Sequence, residues 1–136
     1  KDDPLHDPML DDKYIDFMIR EKNSIEYSEA RRINAEVFGL LEAAFAKFGV
    51  QLIDFKLEYG MIGGEVVLID EITGGSFRLW PYKNENPNLN QPNVLSELDP
   101  AGKLDKDIYR QGGELSAVRD KFAQIADITA RFKDID

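Results

Sequence analysis

The sequence has no cysteine, a single histidine and a single tryptophan. The missing cysteine excludes disulfides, thiolate zinc sites and cysteine nucleophiles together. It accords with a reducing compartment, and the expected location is the cytoplasm. No apolar run approaches a membrane-spanning length and no stretch reads as a signal-peptide core, so no membrane partner is expected. His6 reads as a surface residue, and no Ser-His-Asp arrangement can be built around it. Phosphate-binding fingerprints of the P-loop or Rossmann kind are missing too: Gly63-Gly64 and Gly74-Gly75 are turn signals. Positive charge is short, with 17 Lys and Arg against 26 Asp and Glu and a formal charge of −9. Nucleic-acid surfaces need cations to neutralise phosphates, so no nucleic-acid partner is expected. An acidic chain is instead suited to holding divalent cations through carboxylates.

What is present is the composition of a globular domain. The 136 residues are 43% apolar and 32% charged, enough for one core and a solvated exterior. The chain opens at Lys1 with the polar run KDDPLHDP, which leads to the expectation that upstream sequence was removed or belongs to another chain.

Pro4 and Pro8 mark residues 1–9 as a loop, and Tyr14, Phe17 and Met18 lie at helical spacing over 10–22. The clearest helix spans 27–48, with Ile33, Val37, Leu40, Leu41, Ala44, Phe45 and Phe48 as its apolar stripe. Ser24 or Ser28 can cap its start, and Gly49 ends it. Residues 50–60 read as a strand with Ile53, Phe55, Leu57 and Tyr59 inward and Asp54, Lys56 and Glu58 outward, each about 6.6 Å from the next. Residues 61–64 are a turn and 65–72 the returning strand. The preferred register sets Glu58 opposite Asp70 across a three-residue loop centred on Gly64; a two-residue turn at Gly63–Gly64 would put Asp70 among apolar groups. A Gly-rich turn and a short extended piece follow over 73–80. Residues 81–103, with four prolines and five asparagines, look least ordered. A short helix is expected over 104–111 and an amphipathic one over 114–133, with Leu115, Val118, Phe122, Ile125 and Ile128 inward.

The chemistry centres on Glu58 and Asp70. Two facing carboxylates make an oxygen-rich site of the kind Mg²⁺ uses, with water and nucleotide phosphates completing its shell. Lys56, two residues before Glu58, would stabilise charge developing on a transferring phosphoryl group. An exposed strand face crossed by salt bridges satisfies the same spacing. Arg78 can grip phosphate or carboxylate bidentately, or stack on Trp80 as a surface residue. Lys106 and Arg110, four apart, can reach one anion from a helix face or simply be solvated.

LIDFKLEYG (52–60), GEVVLIDEI (64–72), SFRLWP (76–81), KLDKDIYR (103–110) and KDDPLHDP (1–8) give these positions a context. In their order along the chain they resemble the signatures of phosphoribosylaminoimidazole-succinocarboxamide synthase (SAICAR synthetase), and the resemblance runs over essentially the whole chain, aligned with the family's C-terminal part. It implies an α+β fold related to ATP-grasp and kinase-like clefts, with residues 1–136 forming a C-terminal metal- and substrate-binding lobe whose antiparallel sheet is flanked by helices. It implies ATP and Mg²⁺ as cofactors, carboxyaminoimidazole ribonucleotide and L-aspartate as substrates, and an acyl phosphate between them. It further implies self-association, and an N-terminal nucleotide-covering lobe that would have to come from a missing segment or a partner chain. By position, Lys56, Glu58 and Asp70 resemble the catalytic and nucleotide-binding residues, Glu58 and Asp70 being the metal ligands. Asp54 and Arg78 resemble substrate-side residues, Lys106 and Arg110 the grip on the ribonucleotide phosphate, and Lys1, Asp3 and Asp7 the surroundings of the amino acid. The pattern departs from the family at Gly75, where many relatives carry an acidic residue, which leaves open one substrate's identity or activity itself. Loop 81–103 resembles an insertion. A non-catalytic module that keeps the fold and binds a nucleotide or a protein, or a plain Mg²⁺- or Ca²⁺-binding domain, is the competing expectation.

Overall fold

The computed structural model describes residues 13, 24–84, 94–104 and 114–135. Within them the order is helix α1 (Ser24–Ala46), strands β1 (Val50–Phe55), β2 (Glu58–Ile62), β3 (Glu65–Ile69) and β4 (Phe77–Pro81), and helix α2 (Leu115–Ala130). Short 3₁₀ turns occupy Val94–Glu97, Pro100–Gly102 and Phe132–Asp134. The α+β class expected from the sequence is what the chain adopts. No described helix is long and apolar enough to cross a membrane.

Helix α1 is held outside by charge and inside by aromatics. Arg32 pairs with Glu29 and Glu36, at 2.6 and 2.5 Å, one turn to either side. Phe45, fully buried, meets the rings of Phe77 and Phe132 at 5.3 and 5.0 Å between centroids. The chain leaves the helix through Gly49, whose φ of +78° only glycine adopts cheaply. Leu40 does not face the core as expected: it is 72% exposed, and Phe38 packs inward instead, 5.4 Å from Phe55.

The expected single strand over 50–60 is broken in two. β1 pairs antiparallel with β4, and β2 with β3, as two separate two-stranded sheets. In the first, Leu52 lies opposite Leu79 but Asp54 lies opposite Arg78, so Ile53 is an extra residue bulged out of the ladder. The bulge reverses the alternation. Val50 and Leu52 face the core before it and Phe55, opposite buried Phe77, packs on the core after it. The predicted inward set beginning at Ile53 is therefore corrected to Val50, Leu52 and Phe55.

The described ends of loop 81–103, residues 81–84 and 94–103, are also better tied than the composition suggests. The stretch from Val94 onward runs back along β4 and the residues just after it: Lys83 N–H donates to Glu97 O (2.7 Å), Asp99 N–H to Pro81 O (2.8 Å) and Leu104 N–H to Leu79 O (2.8 Å). Leu98 and Leu104 are buried there. Apolar anchors, invisible among the prolines and asparagines, fix this stretch. On α2, Val118 and Ile125 are buried and Ile128 packs on the core, but Leu115 is 71% exposed and Phe122 38%. Of the helix expected over 10–22 only Lys13 is described, and it is helical; the helix expected over 104–111 lies outside the described residues beyond Leu104.

Candidate functional site

The β2–β3 hairpin turns through Gly63 and Gly64, with φ of +62° and +89°. Both residues are left-handed, as a two-residue type I′ turn demands. The resulting register sets Ile62 opposite Glu65 and Glu58 opposite Ile69. The three-residue loop with Glu58 opposite Asp70 is thereby corrected: two glycines in sequence satisfied the tighter turn, and it won.

Asp70 escapes the consequence that this register was expected to have. It is not carried into an apolar face, because β3 stops at Ile69 and Asp70 adopts φ +68°, alone among the described non-glycine residues. Aspartate enters this region more readily than most residues. The kink leaves Asp70 exposed and places it with Glu58 after all. A pocket of about 250 Å³ is lined by Lys56, Glu58, Asp70 and Glu71, and closed by Thr73, Gly75 and Ser76. Lys56 Nζ donates to Glu58 Oε1 in a short ion pair. The Asp70 carboxyl is held below its ordinary range, first by hydrogen bonds to Glu71 and further by the Lys56 charge. The Lys56 ammonium thus pairs with Glu58 and adds a smaller favourable field at Asp70.

The far wall is a compact turn. Ser76 Oγ donates to Thr73 O (2.8 Å) and accepts from Thr73 N–H (2.9 Å), while Gly75 N–H donates to Thr73 Oγ1 (3.2 Å). Lys56 N–H donates to Ser76 O (2.7 Å), which continues the β1–β4 ladder to the pocket's edge. Glu71, Thr73 and Ser76 were absent from the sequence-derived site. The Thr-x-x-Ser spacing, which favours side-chain-to-backbone turns, was the signal for the last two.

Asp54 and Arg78 are brought together, directly opposite in the ladder. Arg78 Nε donates to Asp54 Oδ1 at 2.8 Å and Nη2 donates to Oδ2, a bidentate pair with both side chains about half exposed. Arg78 does not need Trp80 as a platform; Lys103 Nζ takes that place, 4.6 Å from the indole centroid. Lys106, Arg110 and Asp7, with Lys1 and Asp3, lie outside the described residues.

Among the described residues no three acidic or histidine side chains converge closely enough to cage an ion by themselves. Mg²⁺ seldom needs such a cage. It binds one or two carboxylates and takes the rest of its octahedron from water and phosphate. Glu58 and Asp70 around one pocket supply that number, so the donor set fits an ion arriving with a nucleotide.

Known proteins are similar to this chain over most of its length. The family model described as SAICAR synthetase matches residues 1–127. The phosphoribosylaminoimidazole-succinocarboxamide synthase of Streptococcus pneumoniae serotype 2 is 37% identical over 123 residues, covering 87% of this chain and 43% of its own length. That of a Marinomonas species is 34% identical over 122 residues, covering 88% of this chain and 44% of its own. Among solved structures, a SAICAR synthetase in complex with ADP superposes with a TM-score of 0.64 at 28% identity, covering 91% of this chain and 45% of that one. The chain spans a little under half the length of the relatives it matches.

Proposed function

The chain belongs to the SAICAR synthetase family, and from that premise we propose that it forms the C-terminal, metal- and substrate-gripping part of an ATP-dependent ligase of purine biosynthesis. The ligase joins the amine of L-aspartate to the carboxylate of carboxyaminoimidazole ribonucleotide. A carboxylate is a poor acyl donor. Phosphorylation from ATP turns it into an acyl phosphate, from which the amine displaces phosphate. The observation that carries this reading is the convergence of Lys56, Glu58 and Asp70 on one small pocket walled by a hydrogen-bonded turn. Asp70, a non-glycine residue in a left-handed conformation at that pocket, fits a residue kept there for what its carboxylate does.

Glu58 and Asp70 would hold the Mg²⁺ that accompanies the nucleotide, and that ion would offset negative charge on the transferring phosphoryl group. Lys56, paired with Glu58 at the same pocket, would offer its ammonium to the phosphate oxygens of a bound nucleotide. Gly75 adds no side chain to the opposite wall between Thr73 and Ser76. Asp54 and Arg78 sit two residues along β1 and β4 from Lys56 and Ser76, where a substrate carboxylate or phosphate would meet the guanidinium already oriented by Asp54. The roof over the nucleotide comes from the remainder of the ligase, in this polypeptide or another. ATP, the ribonucleotide and aspartate are accordingly bound between the two parts.

The test is ADP release from the chain together with that remainder, supplied with Mg–ATP, the imidazole ribonucleotide and L-aspartate. Glu58→Gln is expected to abolish turnover while leaving the unfolding midpoint within a degree or two, because Glu58 is exposed. Retained turnover in Glu58→Gln removes Glu58 from the metal site. Nucleotide binding with no ADP release from the unsubstituted protein favours a non-catalytic module.

A further inference from the structure

The turn that walls the pocket is seated on a helix that does not reach the pocket. Gly74 is not glycine for its φ, which is not left-handed. It is glycine for space: a Cβ there would stand 3.1 Å from Ile125 Cδ1 and 3.2 Å from two Phe122 ring carbons. α2 therefore lies directly on the turn, about fifty residues away in sequence. The same two side chains line a larger apolar cavity, of about 520 Å³, whose other wall includes Thr73, Gly74 and Gly75. Thr73 and Gly75 thus belong to two pockets at once, the polar one in front and the apolar one behind. Ile125 is buried and serves the core in any case, whereas Phe122 is 38% exposed and a poor core residue. Its ring is placed where it meets the turn.

We infer that Phe122, with Ile125, is a positioning residue for the catalytic pocket: it acts through Gly74 to hold Thr73–Ser76 against Lys56. The inference rests on the reading of that pocket as the phosphoryl-transfer site, but its physical content does not. The turn's own hydrogen bonds are made between residues two or three apart and cannot fix where the turn sits. Contacts on two sides reach outside it: the Lys56 N–H to Ser76 O bond on the pocket side, and the α2 contact at Gly74 on the other. Removing the second takes away the support that α2 gives the wall.

Amide hydrogen exchange of the 136-residue chain, without any ligand, tests this. Phe122→Ala is expected to speed exchange at Lys56, Thr73 and Ser76, whose N–H groups make these bonds, by about tenfold, which is about 1.4 kcal/mol of local opening. The Tyr82 and Leu104 amides, bonded to Gly49 O and Leu79 O on the far part of the sheet, should keep their rates. Phe122→Leu, which retains an apolar contact, should restore the turn. Gly74→Ala should reproduce the loosening from the other side, and Gly74→Ala combined with Phe122→Leu should lessen it. Equal acceleration at all five amides would mean that Phe122 merely stabilises the fold, and unchanged turn amides would mean that the helix does not seat the turn; either result overturns the inference. Neither depends on turnover, so a failure here is distinguishable from a failure of the ligase reading.

Discussion

The two small sheets of this chain are built from adjoining stretches of sequence, yet different forces fix them. β1 and β4 are pinned by burial, with Leu52 1% and Leu79 0% exposed, and a bulge at Ile53 keeps the apolar residues inward when simple alternation would not. β2 and β3 have no buried residue, and Met61 and Ile62 are 52% and 68% exposed at the tip. Their register is set by the Gly63–Gly64 turn. The scaffold is thus placed by its core, while the carboxylate of Glu58 is placed by turn chemistry. The largest expected effect tests that contrast directly. Leu79→Ala should cost about 2–5 kcal/mol, the range for emptying a closed core site, whereas Ile62→Ala should stay within about 0.5 kcal/mol. Denaturant unfolding of the two variants measures both, and comparable losses would erase the distinction between the sheets.

The next effect is smaller and confined to the hairpin. Gly64 has open space around its Cα, so Gly64→Ala meets no clash, only a φ of +89° that an L side chain resists. About 1–2 kcal/mol is expected. Gly63→Asn should cost nothing or stabilise slightly, because Asn-Gly is the favoured pair in this turn and φ +62° suits asparagine. A spectroscopic readout of the Glu58–Ile69 pairing should survive Gly63→Asn. If Gly64→Ala left both stability and pairing untouched, the turn would not be what fixes the register.

How much of this was legible in the sequence follows the same division. Helix α1, the last helix, the hairpin and the extended piece at 77–81 were readable, because each has a strong local period or a turn signal. The bulge was not, since Ile53 and Phe55 look as apolar as Val50 and Leu52, and only the packing partners Leu79 and Phe77 decide which of them turn inward. The register was misread because a buried Asp70 looked too costly. The chain avoided that cost by leaving the strand, an option that depends on one backbone angle at Asp70. Lys56, Glu58 and Asp70 therefore line one pocket, but through a different register from the one the sequence suggests. The Asp54–Arg78 pair could not be anticipated without the bulge that aligns them, and nothing in a helical reading of 114–133 shows that Phe122 meets a glycine in a turn.

The smallest effect compares two tyrosines, one attached to each sheet. Tyr82 is 8% exposed, and its phenol donates to Gln51 Oε1 at 2.5 Å, with Gln51 in turn donating to Glu42. Burial, and then the negative charge of Glu42, push its pKa up. Tyr59, on the open hairpin, is half-buried and donates to Asn34 Oδ1 at 3.2 Å; burial alone raises its pKa. A phenol whose pKa is raised on folding is favoured neutral by the fold. Its contribution is complete below the unfolded value of about 10 and is lost as pH climbs through the folded one. Unfolding free energy should therefore decline above about pH 10. Tyr82→Phe should lower stability by about 1 kcal/mol at neutral pH, leaving Gln51 Oε1 without its donor, and should then flatten the alkaline decline so that the two curves converge. Tyr59→Phe should change both less, because water reaches that ring and the longer hydrogen bond constrains it weakly. Guanidinium unfolding at intervals from pH 7 to 11 measures all three proteins, and a Tyr59→Phe curve flatter than that of Tyr82→Phe would reverse the ranking of the two sheets.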